Sequence, residues 1–534
     1  MGKNGSQWRA AVVAPHSDAA QVGADVLREG GNALEAMVAS AAAIAVLYPH
    51  MNGIGGDAFW LVDEPQASSW GINGCGRSAG EAAPGWYLER GFSRIPERGP
   101  AAVNTVPGAI SSWIEALSYS RSAADGRMPL SRLLEPAIDM ARQGHRMSDS
   151  LMDGLSRHGE ALCLQPGFKK VFMPEDKVPN AGAVIKQPAL ADVLEELSRE
   201  GLQAFYKGDI GASLARGLTD VGSPLRREDL EACNATRMRP LELNVSYGKV
   251  RNLPLPTQGL ASLLILGLYE RYRNQLNHEV ESADYVHALV EATKRAFQVR
   301  DAVVTDPDYG PDSVEEWLTL ESLDQLADDF DPLRAAAWPS PEANGDTVWL
   351  GAIDAQGRQV SFIQSIFHEF GSGVLLPDTG ILCQNRGCSF QLKRGSMNEI
   401  APNRQPFQTL NPAMAELEDG RRIIYGTMGG HGQPQTQAAV LTRLIYAGAD
   451  ATTALERPRW LLGRTWGEGP ETLKIESNFP DNVVEALIRR GHDVTMVPEL
   501  SNVMGHAGAL IRHPQGGIEA ASDPRSDGGV FGVT

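Results

Sequence analysis

The segment Asn344-Gly345-Asp346-Thr347 holds the residue types from which a self-made nucleophile can be built. A threonine hydroxyl is a weak nucleophile until a base takes its proton, and an N-terminal threonine carries that base as its own α-amine. Within the chain the amine of Thr347 is tied up in a peptide, so the chemistry starts only once the Asp346–Thr347 bond breaks. Gly345 tolerates strained dihedrals without a Cβ penalty, and the Thr347 hydroxyl can attack the carbonyl of Asp346. Taken alone, these four residues also fit a surface turn.

Other residues supply matching chemistry. Gly429 and Gly430, in Gly426-Thr427-Met428-Gly429-Gly430-His431-Gly432-Gln433, lie between a strand pattern and a helix pattern. Two successive glycine N–H groups at a helix N-terminus can converge on a developing oxyanion, where one donor is worth about 3 kcal/mol. An ordinary glycine turn is the competing reading. Arg77, in Gly74-Cys75-Gly76-Arg77-Ser78, and Arg386, in Asn385-Arg386-Gly387, are candidate carboxylate clamps, since a guanidinium gives two parallel hydrogen bonds. A surface arginine is the plain alternative for each. His368 and His431 have no spaced partners and read as structural or solvated histidines. Gly55-Gly56 lacks the spacing of a dinucleotide fingerprint. The five cysteines show no metal-ligand spacing and read as reduced thiols.

The elements that must position these groups follow from periodicity. Helices are predicted over 17–28, 34–47, 130–142, 190–205, 259–272, 285–299, 435–447 and 480–490. The stretch from about 130 to 300 reads as mainly helical. Strands are predicted at 12–14, 58–62, 348–353, 360–366, 380–384 and 421–425. Residues 325–345, rich in aspartate and proline, read as an exposed linker ahead of the cleavage point. The turn Asp354-Ala355-Gln356-Gly357 makes a hairpin of the two strands after Thr347. Pairing about Gln356 sets Thr347 opposite Ser365, and a one-residue shift sets it opposite Gln364 instead. Helices alternating with strands indicate layered α/β packing.

The chain has 534 residues, 42% apolar and 21% charged, which excludes a disordered protein and suits a large enzyme. A net charge of −18 argues against nucleic-acid and membrane-surface partners. It also requires a local cationic pocket for any anionic substrate. The N-terminal residues lack the charged-then-apolar layout of an export signal, so a cytoplasmic location is expected.

These segments together resemble the γ-glutamyltranspeptidase family of N-terminal-nucleophile hydrolases, nearly end to end. The resemblance includes Glu29-Gly30-Gly31-Asn32-Ala33, Gly53-Ile54-Gly55-Gly56-Asp57, Val106-Pro107-Gly108, Asp306-Pro307-Asp308-Tyr309, Phe370-Gly371-Ser372-Gly373 and Gly426-Thr427-Met428-Gly429-Gly430. It implies a four-layer αββα sandwich made as one proenzyme, with a mainly helical middle section. It also implies cleavage before Thr347 into a large subunit, 1–346, and a small one, 347–534, that stay together in one domain. By the same resemblance Thr347 is nucleophile and base, Ser365 its supporting hydroxyl, and Gly429 and Gly430 the oxyanion pair. Arg77 matches the family's arginine for the substrate α-carboxylate, and Gln408 and Thr409 stand where two family serines contact it. No metal or organic cofactor is required, and a homodimer of the processed pair stays open.

The departures from the family pattern bear on substrate. Ser389 stands where family members place an acid for the substrate ammonium, Arg386 adds positive charge, and Phe367 replaces a polar side chain. An ammonium held beside an arginine with no carboxylate is penalised. The Asn385-Arg386-Gly387 form resembles the branch containing oxamate amidohydrolase, an enzyme of purine breakdown. Hydrolysis of a small carboxylate-bearing amide is therefore expected. A γ-glutamyl hydrolase or transferase, a glutaryl-type acylase, and an uncleaved binding homologue are the alternatives.

Overall fold

The computed structural model describes residues 3–5, 8–65, 67–175, 177–180, 182–276, 279–338, 346–464 and 471–534. Asn344 and Gly345 of the expected cleavage segment, and the last part of the expected linker, lie outside the described residues. Of Asp346 only the backbone is described.

Two seven-stranded antiparallel sheets carry the structure. In the first the order is Gly529–Val533, Ala10–Ala14, Asp346–Ile353, Gln359–Phe367, Asp57–Asp63, Trp70–Gly74, Thr236–Met238. In the second it is Lys3–Gly5, Ile518–Ser522, Ala507–Arg512, Arg422–Thr427, Ala413–Leu417, Gly248–Asn252, Leu241–Val245. Successive side chains of a strand face opposite ways, so a strand buried on both sides reads as an unbroken apolar run. That is the case in the first sheet. Val13, Leu61, Trp349 and Ile363 face inward and pack with Met414, Ile424, Leu510 and Ile518 of the second sheet. Their neighbours Val12, Trp60, Val62, Leu350 and Phe362 face outward, against helices that include Ala33–Leu47 and Ala109–Ala123. Leu243, Val250, Ile423 and Tyr425 cover the far side of the second sheet with Gly259–Tyr272, Ala283–Val303 and Gln433–Tyr446.

The Ala33–Leu47 helix is buried on every side, which its uniformly small apolar composition permits. It starts at a capping box in which Asn32 accepts from Glu35 N and Glu35 Oε2 accepts from Asn32 N.

Three expectations need correction. The helix expected over 190–205 is Pro188–Glu200 followed by a separate Ala204–Lys207, because Gly201 turns the chain with φ 89°. The strand expected over 380–384 is only Ile381–Leu382, since the next backbone bonds run to Ser372 and Gly55 rather than along a ladder. The expected linker begins with helix, as Leu320–Ala327 overlaps it. Among the described residues no helix is long and apolar enough to cross a membrane.

Candidate active site

The hairpin turn sets the position of Thr347. Asp354 Oδ1 accepts from Gln356 N at 3.1 Å and Arg358 N at 2.9 Å, and Gly357 closes the turn at φ 89°. The resulting register pairs Gly351 with Ser361 and Val348 with Gln364. A bulge then pairs Asp346 with Phe367, so Thr347 faces the stretch Ser365–Ile366. Gln364 is used elsewhere: it accepts from Trp113 Nε1 and donates to Asn52 Oδ1. Thr347 is fully buried, and its hydroxyl accepts a 3.3 Å hydrogen bond from Gln433 Nε2. Ser365 Oγ accepts from Phe367 N at 2.8 Å, and on its other side Ser365 pairs with Asp57. Bulges next to reactive residues re-aim a side chain, and this one sits at the candidate nucleophile.

Gly429 and Gly430 follow the Arg422–Thr427 strand and lead through a short 3₁₀ turn into the Gln433–Tyr446 helix. Their φ angles are 129° and 49°, conformations that favour glycine. Among the described residues neither N–H has an acceptor, while Gly430 O accepts from Gln258 Nε2 at 2.8 Å. Two buried donors without partners at the start of a helix form an anion-ready corner.

Arg386 is fully buried in the Arg386–Ser389 3₁₀ turn. Its Nη1 donates to Thr409 Oγ1 at 3.1 Å, its guanidinium carbon lies 3.8 Å from the Phe367 ring centroid, and its Nε and Nη2 have no partner among the described residues. Burial pulls its pKa down to about 10, opposed by the negative charge of Asp57. Phe367 holds φ 79°, a conformation rare for an aromatic residue. Asn385 is a brace: its Oδ1 accepts from His368 N and its Nδ2 donates to Glu97 O. A Cβ on Gly387 would lie 1.4 Å from Asn104 Oδ1, so a larger residue there would have to displace the Asn104 side chain.

Asp57 is a buried hydrogen-bonding hub whose charge acts on Arg386, a role its sequence context did not reveal. Its Oδ1 accepts from Gly76 N, Gly108 N and Gln384 Nε2, and its Oδ2 accepts from Gln408 Nε2 at 2.7 Å. Burial pushes its pKa up to about 6 against these donors and the charge of Arg386. The one available clue was an acid opening an otherwise apolar strand. Gln433, Gln258 and Arg300 gave no signal of their own. Gln408 also donates to Cys75 Sγ, and its Oε1 is without a partner among the described residues.

Arg77 sits apart from Arg386 in its bonding. Its side chain is 42% exposed, donates to Asn403 O at 2.8 Å and forms ion pairs with Asp308 at 3.0 Å and Asp306 at 3.4 Å. A cleft of about 1040 Å³ opens over Phe367, His368, Ser389, Arg300 and His431. Arg386 does not line this cleft but stacks on Phe367, which does, and Thr347 is not among the lining residues. His431 is buried and accepts from Arg300 through Nδ1 at 2.9 Å; burial and the Arg300 charge hold it neutral. None of the five cysteines is in a disulfide. One cluster outside the site, His287, Glu291 and His492, brings metal-capable atoms within 4.8 Å. Its atoms are already engaged: His287 bonds His492 and Asp331 O, and Glu291 pairs with Lys294 at 2.7 Å.

This geometry has relatives. Residues 19–533 match the gamma-glutamyltranspeptidase family. The chain is 47% identical over 520 residues to the oxamate amidohydrolase proenzyme of Klebsiella pneumoniae subsp. pneumoniae, covering 97% of this chain and 98% of that protein. It is 38% identical over 524 residues to a glutathione hydrolase-like proenzyme of Bacillus subtilis, with 98% of each covered. The crystal structure of a cephalosporin acylase from Bacillus halodurans superposes with a TM-score of 0.90 at 30% identity, covering 100% of this chain and 97% of that one.

Proposed function

Because the chain belongs to the gamma-glutamyltranspeptidase family of N-terminal threonine amidohydrolases, made as proenzymes, we propose that it hydrolyses a small amide bearing a free carboxylate, with oxamate as the leading candidate. Scission between Asp346 and Thr347 frees the threonine amine and leaves subunits of 1–346 and 347–534. The Thr347 hydroxyl then adds to the amide carbonyl, its proton passing to the amine, with Ser365 as the supporting hydroxyl beside it. The N–H groups of Gly429 and Gly430 hold the oxyanion. The carbon–nitrogen bond breaks, the amine proton leaves with ammonia, and water hydrolyses the acyl-enzyme to release oxalate. We read the stacked helix and sheet layers as the four-layer αββα sandwich of N-terminal-nucleophile hydrolases. A reducing, cytoplasmic setting is part of this proposal and fits cysteines that form no disulfide.

The observation that carries this reading is Arg386. A fully buried guanidinium with two donors that find no partner among the described residues calls for an anion. The neighbouring acid does not offer a place for an ammonium, since Asp57 already accepts four hydrogen bonds. In this reading Arg386, placed by Thr409 and the Asn385 brace, receives the carboxylate, while the Gln408 amide donates to Asp57 and Cys75 and would have to leave them to join it. Arg77 would reach it only by exchanging Asp306 and Asp308 for substrate.

A second reading, a glutaryl-type acylase, is supported by the large cleft and by the likeness to the cephalosporin acylase. The test is a panel on processed enzyme: oxamate, a glutaryl amide and a γ-glutamyl anilide. Ammonia released fastest from oxamate is the expected result. Preference for the glutaryl amide selects the second reading, and preference for the γ-glutamyl anilide overturns both. Thr347→Ala should show neither chain scission by intact mass nor any turnover.

A further inference from the structure

Gln258 joins the two halves of the candidate site. It is fully buried just ahead of the Gly259–Tyr272 helix. Its Nε2 donates twice, to Gly430 O at 2.8 Å and to Thr409 O at 2.9 Å. Its Oε1 accepts from Arg300 Nη1 at 3.2 Å, and its backbone N–H donates to Gln408 O at 2.9 Å. Thr409 is the residue whose hydroxyl accepts from Arg386, and Gly430 is one of the two glycines whose N–H has no acceptor among the described residues.

The direction of this amide is not free. Arg300 has only donors, so the oxygen of Gln258 must face it and the NH₂ must face the two carbonyls. Arg300 is itself fixed by Asp301 at 2.7 Å, by His431 Nδ1 at 2.9 Å, and by the Phe297 ring at 3.8 Å. A glycine pair at positive φ has the least intrinsic stiffness of any backbone, so an external clamp is what can hold its N–H groups on target.

We propose that Gln258, oriented by Arg300, is a positioning residue that holds the oxyanion loop in register with the anion anchor at Thr409 and Arg386. This rests on the assignment of Gly429 and Gly430 made above. Its work is done through other groups, so its signature is a loss of transition-state stabilisation with little change in ground-state binding.

The test compares Gln258→Glu, Gln258→Met and Arg300→Lys with unaltered processed enzyme, using whichever anionic amide the latter hydrolyses best. Gln258→Glu keeps the size and the Arg300 contact but sets an oxygen against two carbonyl oxygens. Its kcat should fall about 100-fold, the scale of a lost oxyanion donor. KM, and the inhibition constant of the dicarboxylate product, should stay within about threefold, as expected when only transition-state contacts are lost. Gln258→Met should fall as far, and Arg300→Lys by an intermediate factor. Thermal melts report whether each variant folds; Gln258→Glu and Arg300→Lys retain bulk and polarity, so at least one keeps the comparison valid. An unchanged kcat in Gln258→Glu, or a rise in KM with kcat preserved, overturns the proposal while leaving the function standing. Unaltered enzyme inactive on every anionic amide overturns both.

Discussion

Leaving Arg386 buried without an anion is costly, because a guanidinium out of water keeps its desolvation penalty until its donors are paired. Asp57 supplies part of the compensating charge from a distance, and in the proposed reading the substrate carboxylate supplies the rest. Arg386→Met should therefore raise KM for the anionic amide on the order of 100-fold, the loss of about 3 kcal/mol of charge-assisted hydrogen bonding, in steady-state assays. The pKa of Asp57, raised to about 6 chiefly by burial, gives a pH prediction. Between about pH 4 and 6 the folded protein keeps a proton there that the unfolded chain has released. The stability this contributes is full below pH 4 and is lost as pH rises through 6. In the same window protonation removes the negative charge facing Arg386. The inhibition constant of the dicarboxylate product should thus fall as pH drops from 7 to 5, and Asp57→Asn should flatten that dependence. An unchanged slope in Asp57→Asn would place the titrating group elsewhere. At this scale the sequence exposed the residues whose type is unusual, such as Thr347 after Asp346 or Arg386 among small polar neighbours. It concealed Gln258, Gln433 and Asp57, whose roles depend on partners far along the chain.

Loops and strands explain why the paired glycines before Asp57 matter. A Cβ on Gly56 would lie 2.1 Å from Ser365 O, and one on Gly55 would lie 2.1 Å from Leu382 O. Both obstacles are backbone, so neither can swing aside. Gly53 differs: the nearest atom to its Cβ is Ile366 Cγ2 at 3.8 Å, an ordinary contact. Gly56→Ala should destabilise the protein by about 2 kcal/mol in urea unfolding and depress turnover by pushing Ser365 away from Thr347. Gly53→Ala should change stability by less than about 0.5 kcal/mol. Equal effects at the two positions would rule out the steric account. Turn chemistry made the hairpin legible: Asp354 and Gly357 set pairing about Gln356, and the structure keeps that register as far as Val348. The bulge beyond it had no local signal, because it arises where the ladder meets the Gly53–Gly56 loop. For the same reason the short Ile381–Leu382 strand read as longer, since β-branched and apolar residues there serve loop packing rather than a ladder.

The two halves on either side of Thr347 are interleaved rather than docked. In the first sheet the Asp346–Ile353 and Gln359–Phe367 strands lie between Ala10–Ala14 and Asp57–Asp63. In the second, Arg422–Thr427 and Ala413–Leu417 continue into Gly248–Asn252 and Leu241–Val245. The apolar layer between the sheets mixes Val13, Phe59 and Leu61 with Trp349, Ile363, Ile424 and Leu510. Helices alternating with strands along the chain announced layered packing, but which strands adjoin is a long-range property that periodicity does not carry. Cutting one bond before Thr347 removes no ladder hydrogen bond beyond it and exposes none of this core. Separating the products, by contrast, would strip central strands from both sheets and leave unpaired edges on each fragment. Processed protein should therefore elute as one particle of the full mass in size exclusion and resolve into two chains only under denaturant. Its unfolding should remain one cooperative transition, monitored by tryptophan fluorescence, because Trp60 and Trp349 report from opposite sides of the cut within one sheet. Chains that part without denaturant, or two separate transitions, would mean that the fragments own independent cores, and the shared site built from Asp57, Thr347 and Arg386 would have no common scaffold.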